Sequence, residues 1–188
     1  MFSSKSAKRQ SGFTLVELLI VAIILAILAA IIVPQFASTT TDAQESALRA
    51  NVTAMRSAID LYRQQHGEYP GVNTAVSGAC AALGGTTGTG TGTGDEEQTL
   101  QDQLTLYSDR NGGTCSIAGT VFPYGPYIQE DTLPTNPITA DATVVIVTTG
   151  NLVMTPAVAG GWRYDTVAGK FIVDDSTLDS QGVAYSTY

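Results

Sequence analysis

Leu18 to Val33 is an unbroken apolar run, with Phe13–Val16 ahead of it and Val33-Pro34-Gln35-Phe36 behind. The stretch matches the ~20 residues a helix needs to cross the hydrocarbon of a bilayer. Beyond it the pattern becomes one-sided: Leu48, Val52, Met55, Ile59 and Tyr62 recur at steps of four, three, four and three. That is one face of a helix. Arg49, Arg56 and Arg63 ride a different face at seven-residue spacing, and His66-Gly67 with Pro70 supplies an end. The pattern predicts one helix from Phe13 to His66, roughly 80 Å long at 1.5 Å per residue. Pro34 removes a backbone hydrogen bond and is expected to kink it. The polar run Ser38-Thr39-Thr40-Thr41 follows, so residues 34–41 are the expected weak point.

Past Pro70 the pattern breaks into short pieces. Residues 84–95, GGTTGTGTGTGD, carry no apolar side chain to bury, which predicts a flexible exposed loop. Residues 95–107 read as a short helix: Asp95 as cap, Glu96 and Glu97 in the first turn, Leu100, Leu104 and Tyr107 as its stripe. Thr143–Thr149 is rich in Val, Ile and Thr, as a strand is. Trp162-Arg163-Tyr164 and Lys170-Phe171-Ile172-Val173 flank Asp165–Gly169, the layout of a hairpin. Trp162 and Tyr164 alternate with polar residues, Phe171 and Val173 take every second position, and the expected task of the four is to cover the Leu48–Tyr62 face. Pro123–Tyr127 and Leu133–Pro137 read as ordered loops before the sheet. The fold class is α+β: a long N-terminal helix packed on a small C-terminal antiparallel sheet.

Two features change the picture of the apolar helix. Glu17 sits just inside it, where a carboxylate at full membrane depth costs up to roughly 2.5–3.5 kcal/mol and therefore has a partner and a task. Lys5, Lys8 and Arg9 precede it with no acid, which keeps that end on the cytoplasmic side. A secretory signal is cut after its core at small residues, and no such exit follows Val33. The alternatives are an uncleaved anchor or a cut before the core, between Gly12 and Phe13, that leaves the helix on the mature chain.

Lys8-Arg9-Gln10-Ser11-Gly12-Phe13-Thr14-Leu15-Val16-Glu17, with Pro34 downstream, resembles the prepilin leader of type IV pilins and type II secretion pseudopilins. The run from Pro34 to Tyr62 and Gly67-Glu68-Tyr69-Pro70 is similar to the second helical half of such subunits. The Gly160-Gly161-Trp162 and Gly169-Lys170-Phe171 pieces resemble, less specifically, the C-terminal domain of pseudopilins. The resemblance implies cleavage after Gly12 by a prepilin peptidase, N-methylation of Phe13, and the pilin fold. It also implies that Glu17 meets the Phe13 amine of an adjacent subunit; four residues apart, the two share a helix face. The plainer alternative is that Glu17 interacts only with its own helix N-terminus.

Composition narrows the rest. The net charge is −8, and losing Lys5, Lys8 and Arg9 lowers it by three, to −11. So acidic a chain argues against nucleic acid as a dedicated partner. Cys80 and Cys115 suit a compartment where disulfides persist; a bridge between them closes a loop of about 35 residues and stabilises by about 3–4 kcal/mol, and two free thiols are the alternative. The single histidine, His66, lacks a second ligand or a nucleophile beside it, and reads as a helix-terminal residue. No nucleophile elbow, phosphate loop or zinc spacing occurs. Asp174, Asp175 and Asp179 lie close in a C-terminal loop, where carboxylates suit Ca²⁺. The pseudopilin resemblance implies calcium in that region, and a solvated acidic loop is the alternative.

The resulting expectation has four parts: a leader (1–12), a transmembrane and polymerisation helix (13–36), an amphipathic half (37–67) and a periplasmic α+β region (68–188). The protein reads as a structural subunit and not an enzyme, spanning the bacterial inner membrane once. Its expected partners are copies of itself, minor pilins or pseudopilins, the peptidase and an inner-membrane assembly platform. A type II secretion pseudopilus subunit is the first reading and a type IV pilin the alternative. A monomeric membrane-anchored binding protein is the second alternative.

Overall fold

The apolar and amphipathic patterns form one helix, α1 (Leu15–His66), in a computed structural model that describes residues 13–92, 96–157 and 160–188, with residues 34–38 as backbone only. The helical backbone is continuous through position 34. Two compact units meet at Thr41 and Asp42. In the first, the side chains from Leu15 to Val33 are exposed. In the second, Leu48, Val52, Met55, Ile59 and Tyr62 are each at most 2% exposed. A change of environment along one helix marks the division.

The core of the second unit places the α1 stripe against Trp162, Tyr164, Phe171 and Val173, with Leu100, Leu104 and Leu133. Each such aliphatic or aromatic side chain contributes about 1.5–3 kcal/mol on full burial. Short α2 (Gly78–Ala82) and longer α3 (Glu97–Thr105) follow α1. Asp95 lies outside the described residues. Glu96 holds the cap position of α3, and its carboxylate accepts bonds from the Thr91 N–H (2.6 Å) and Thr99 hydroxyl (3.2 Å). Leu100 and Leu104 are buried on α3, but the helix stops at Thr105. Tyr107 instead enters a two-stranded ribbon of β1 (Tyr107–Ser108) and β2 (Thr114–Cys115).

The main sheet has the order β3 (Val144–Val147), β4 (Trp162–Asp165), β5 (Lys170–Val173). β4 and β5 are the expected antiparallel hairpin, pairing Trp162 with Val173 and Tyr164 with Phe171. The expectation of a wholly antiparallel sheet is corrected at β3, which pairs parallel to β4, Val144 opposite Trp162. The segment 148–161 connects them, long enough for a parallel crossover, and its described residues hold no helix. At the hairpin turn Gly169 has φ +66°, and a Cβ there would sit 2.0 Å from the Tyr69 ring.

The Gly/Thr stretch is also corrected. Residues 84–92 are tied into the fold: Asp102 accepts the N–H groups of Thr89 (2.7 Å) and Gly90 (2.9 Å), and Thr114 accepts that of Gly88 (3.0 Å). Gly88 and Gly90 are buried, and a Cβ on Gly90 would lie 2.3 Å from the Thr99 Cα. Glycine lets this backbone press directly on α3, so its polar groups bond to protein instead of water. The Cys80–Cys115 disulfide closes beside it, with Phe122 and Tyr107 packed around.

Candidate assembly helix and its polar clasp

The head of α1 is built from two residues. Thr14 precedes the first helical residue, and its hydroxyl accepts the Glu17 N–H (3.2 Å). The Glu17 carboxylate accepts in return from the Thr14 N–H (2.8 Å) and Thr14 hydroxyl (2.9 Å). This reciprocal pair is a capping box, which satisfies helix-end donors that lipid could not. Glu17 therefore engages its own helix N-terminus in the single chain. Phe13, 82% exposed, sits next to it. Leu15–Val33, 19 residues, is long and apolar enough to cross a membrane. The leader 1–12, including Gly12 of the expected cleavage pair, lies outside the described residues, as does the side chain of Pro34.

Further along α1, Glu45, Arg49 and Arg56 hold the segment 175–188 by polar contacts. Glu45, 5% exposed, accepts from the Ser180 N–H (2.8 Å), the Ser180 hydroxyl (2.9 Å) and the Tyr185 hydroxyl (3.3 Å). Burial, reinforced by that carboxylate, pushes the Tyr185 phenol up to about 12. Arg49 pairs with Asp179 (3.2 Å), donates to the Tyr188 hydroxyl (2.9 Å) and stacks over the Tyr188 ring at 4.3 Å. Arg56 donates to the backbone oxygens of Phe171 (3.0 Å) and Tyr188. The arginine row was visible in the sequence, but nothing there named its acceptors. Glu45 carried no signal at all.

The three aspartates expected to hold calcium are placed apart in purpose. Asp174 makes a two-point ion pair with Arg163 (2.8 and 3.2 Å) and accepts the Ala157 N–H (2.8 Å). Asp175 accepts the Thr177 N–H (2.8 Å). Asp179 accepts from the Tyr188 hydroxyl (2.6 Å) and the N–H groups of Gln181 and Val183 (2.8 and 2.7 Å). These bonds, with Arg49, hold its carboxyl below the usual aspartate range despite some desolvation. Among the described residues, no group of three or more His, Cys, Asp or Glu is arranged to hold a metal ion. In this structure arginines and N–H groups engage the carboxylates of Asp174 and Asp179, and the Thr177 N–H that of Asp175.

His66 ends α1 as a packed residue. Its ring stacks on Tyr62 at 3.9 Å, and Nε2 meets the Ser108 hydroxyl at 3.1 Å. Burial pushes its pKa down, against the opposing pull of the Tyr62 carbonyl and Asp109.

Residues 7–33 match the family model described as the prokaryotic N-terminal methylation motif. The chain is 40% identical over 63 residues to type II secretion system core protein G of Pseudomonas aeruginosa, covering 34% of this chain and 44% of that protein. It is 30% identical over 140 residues to a fimbrial protein of Neisseria meningitidis serogroup A, covering 68% of this chain and 80% of that protein. With the type IV major pilin protein PilE1 of Neisseria gonorrhoeae it shares 29% identity over 147 residues, 71% of this chain and 66% of that protein. The chain spans under half the length of the secretion-system relatives it matches. No solved structure matches.

Proposed function

This chain belongs to the family of type IV pilins and type II secretion pseudopilins, and from that premise we propose that it is a structural filament subunit of a type II secretion pseudopilus, not an enzyme. The observation that carries the reading is an exposed apolar helix, Leu15–Val33, that bears one carboxylate, Glu17, at its head and continues into a folded unit. In lipid the helix is a single-pass anchor in the bacterial inner membrane, with the leader cytoplasmic and the folded unit periplasmic. A prepilin peptidase cuts between Gly12 and Phe13, and Phe13 is N-methylated. The new ammonium and Glu17 then favour each other's charged forms. During assembly the Glu17 carboxylate exchanges its bonds to Thr14 for the Phe13 amine of an adjacent copy. An inner-membrane platform and minor pseudopilins take part in building the fibre.

One observation favours a second reading, a type IV pilin: the likeness to one fimbrial protein extends over 140 residues, whereas the matches to core protein G run to 63–66. Deleting the gene and scoring both exoprotein release and surface fibres separates the two. Lost release with intact fibres is the expected result. Lost fibres with normal release establishes the pilin, and no change in either leaves a tethered binding protein.

A further inference from the structure

The segment 149–157 projects an apolar tip from the folded unit. Leu152 is 72% exposed and Val153 85%. The backbone beneath them is fixed. Asp165 accepts from the Thr149 hydroxyl (2.8 Å) and the Gly150 N–H (2.9 Å), Lys170 donates to the Leu152 carbonyl, and Asp174 accepts the Ala157 N–H. A pinned loop that presents a leucine and a valine to water is preorganised to bind, because little is left to order on contact.

The same unit carries a hollow of matching character. A groove of about 460 Å³ opens between α1 and the segment 128–135, floored by Met55 and Leu133, with Asn51, Ala54, Ile128 and Glu130 among its walls. Asn51 and Ala54 lie on one flank of α1. The tip lies beside the other, since Val153 and Met154 share a hollow with Arg56 and Lys170. At about 100° per residue, positions 51 and 54 fall roughly opposite positions 56 and 60. The charges are complementary as well: Arg56 and Lys170 accompany the tip, while Glu130 lines the groove and Asp131 follows it.

We propose that Leu152 and Val153 of one copy seat in the Met55–Leu133 groove of a second copy of this chain. The two surfaces differ and sit on opposite flanks of α1, so the contact is head-to-tail and propagates instead of closing a dimer. Apolar seating supplies the affinity, and the positive field around Arg56 and Lys170, facing Glu130 and Asp131, favours one orientation. The inference rests on the filament-subunit reading and adds the surface by which the folded units address each other.

Disulfide trapping in the native envelope tests it. The full chain carries Val153→Cys and Thr132→Cys together, and Cys80 and Cys115 do not compete because they are already joined and buried. Mild oxidation is expected to give a covalent ladder of oligomers from the double variant and none from either single variant. Leu152→Asp in the double variant is expected to cut ladder yield about tenfold with the melting temperature unchanged. Fibres that form without a ladder overturn the contact and leave the filament reading standing. Equal dimers from Val153→Cys alone, or trapping only to a different protein, also overturn it. Unchanged fibres and unchanged export on deletion of the gene remove the filament reading, and the contact with it.

Discussion

At the residue scale, single side chains and one glycine carry the most information. Glu17 was legible as an anomaly because a carboxylate in an apolar run has few uses. Its immediate partner was not, since a Thr three residues earlier is unremarkable until the helix start is known. The capping box makes a definite expectation: Glu17→Ala still inserts in the membrane, because Leu18–Val33 is unchanged, but filament yield collapses, as read by sedimentation and microscopy. Normal yield from that variant removes Glu17 from assembly. Gly169 is a purely structural counterpart. Its φ of +66° and the Tyr69 ring 2.0 Å from any Cβ put two costs on one substitution. Gly169→Ala is expected to lose at least about 2 kcal/mol in urea unfolding of the folded unit. A loss below about 0.5 kcal/mol would show that the hairpin turn relaxes freely.

At the element scale, hydrophobic period did most of the work. The steps of α1 and the alternation of Trp162, Tyr164, Phe171 and Val173 each point to one buried face, and those faces meet. The parallel direction of β3 was not legible, since a strand's own residues do not say which way it pairs. The Gly/Thr loop misled for a different reason. Glycine reads as freedom in a sequence, but here its missing side chain permits close packing on α3. The last turn of α1 gives the next expectation. His66 is held below its ordinary 6.5 by burial against Tyr62, Tyr124 and Tyr127, with Asp109 opposing. Its folded pKa is the lower one, so as pH falls below about 6.5 the unfolded chain takes up a proton first and stability drops. A second drop follows where Asp141, Asp165 and Asp179 protonate, since all three are held below their ordinary 3.8 in the fold. The urea midpoint is therefore expected to decline from pH 7.5 to 5.5, level, and decline again below pH 4. His66→Gln should abolish the first decline only; an unaltered profile would place that proton elsewhere.

At the scale of the whole molecule, the chain is two units with opposite relations to solvent. Residues 13–33 leave their apolar side chains uncovered, and the unit from Asp42 onward gathers its largest ones into a core with a disulfide cluster beside it. The sequence announced the first unit, because a membrane-length apolar run admits few readings. The polar clasp that finishes the second was hidden, since Glu45 and Arg49 lie 135 and 130 residues from Ser180 and Asp179 and meet them only through the fold. That division predicts what truncation does. A chain beginning at Asp42 keeps Glu45, Arg49 and Arg56, every α1 residue of the core, and the whole segment they hold. Among the described side chains it loses the exposed ones of 13–33 and 39–41. It is expected to be soluble and to unfold in one cooperative step under oxidising conditions. Starting instead at Val52 removes Glu45 and Arg49 while sparing most of the apolar stripe. The segment 175–188 should then exchange its amide hydrogens rapidly, and the melting temperature should fall by several degrees. If the two truncations melt alike, the C-terminal segment is held by its own turns, and the α1 clasp contributes nothing measurable to the fold.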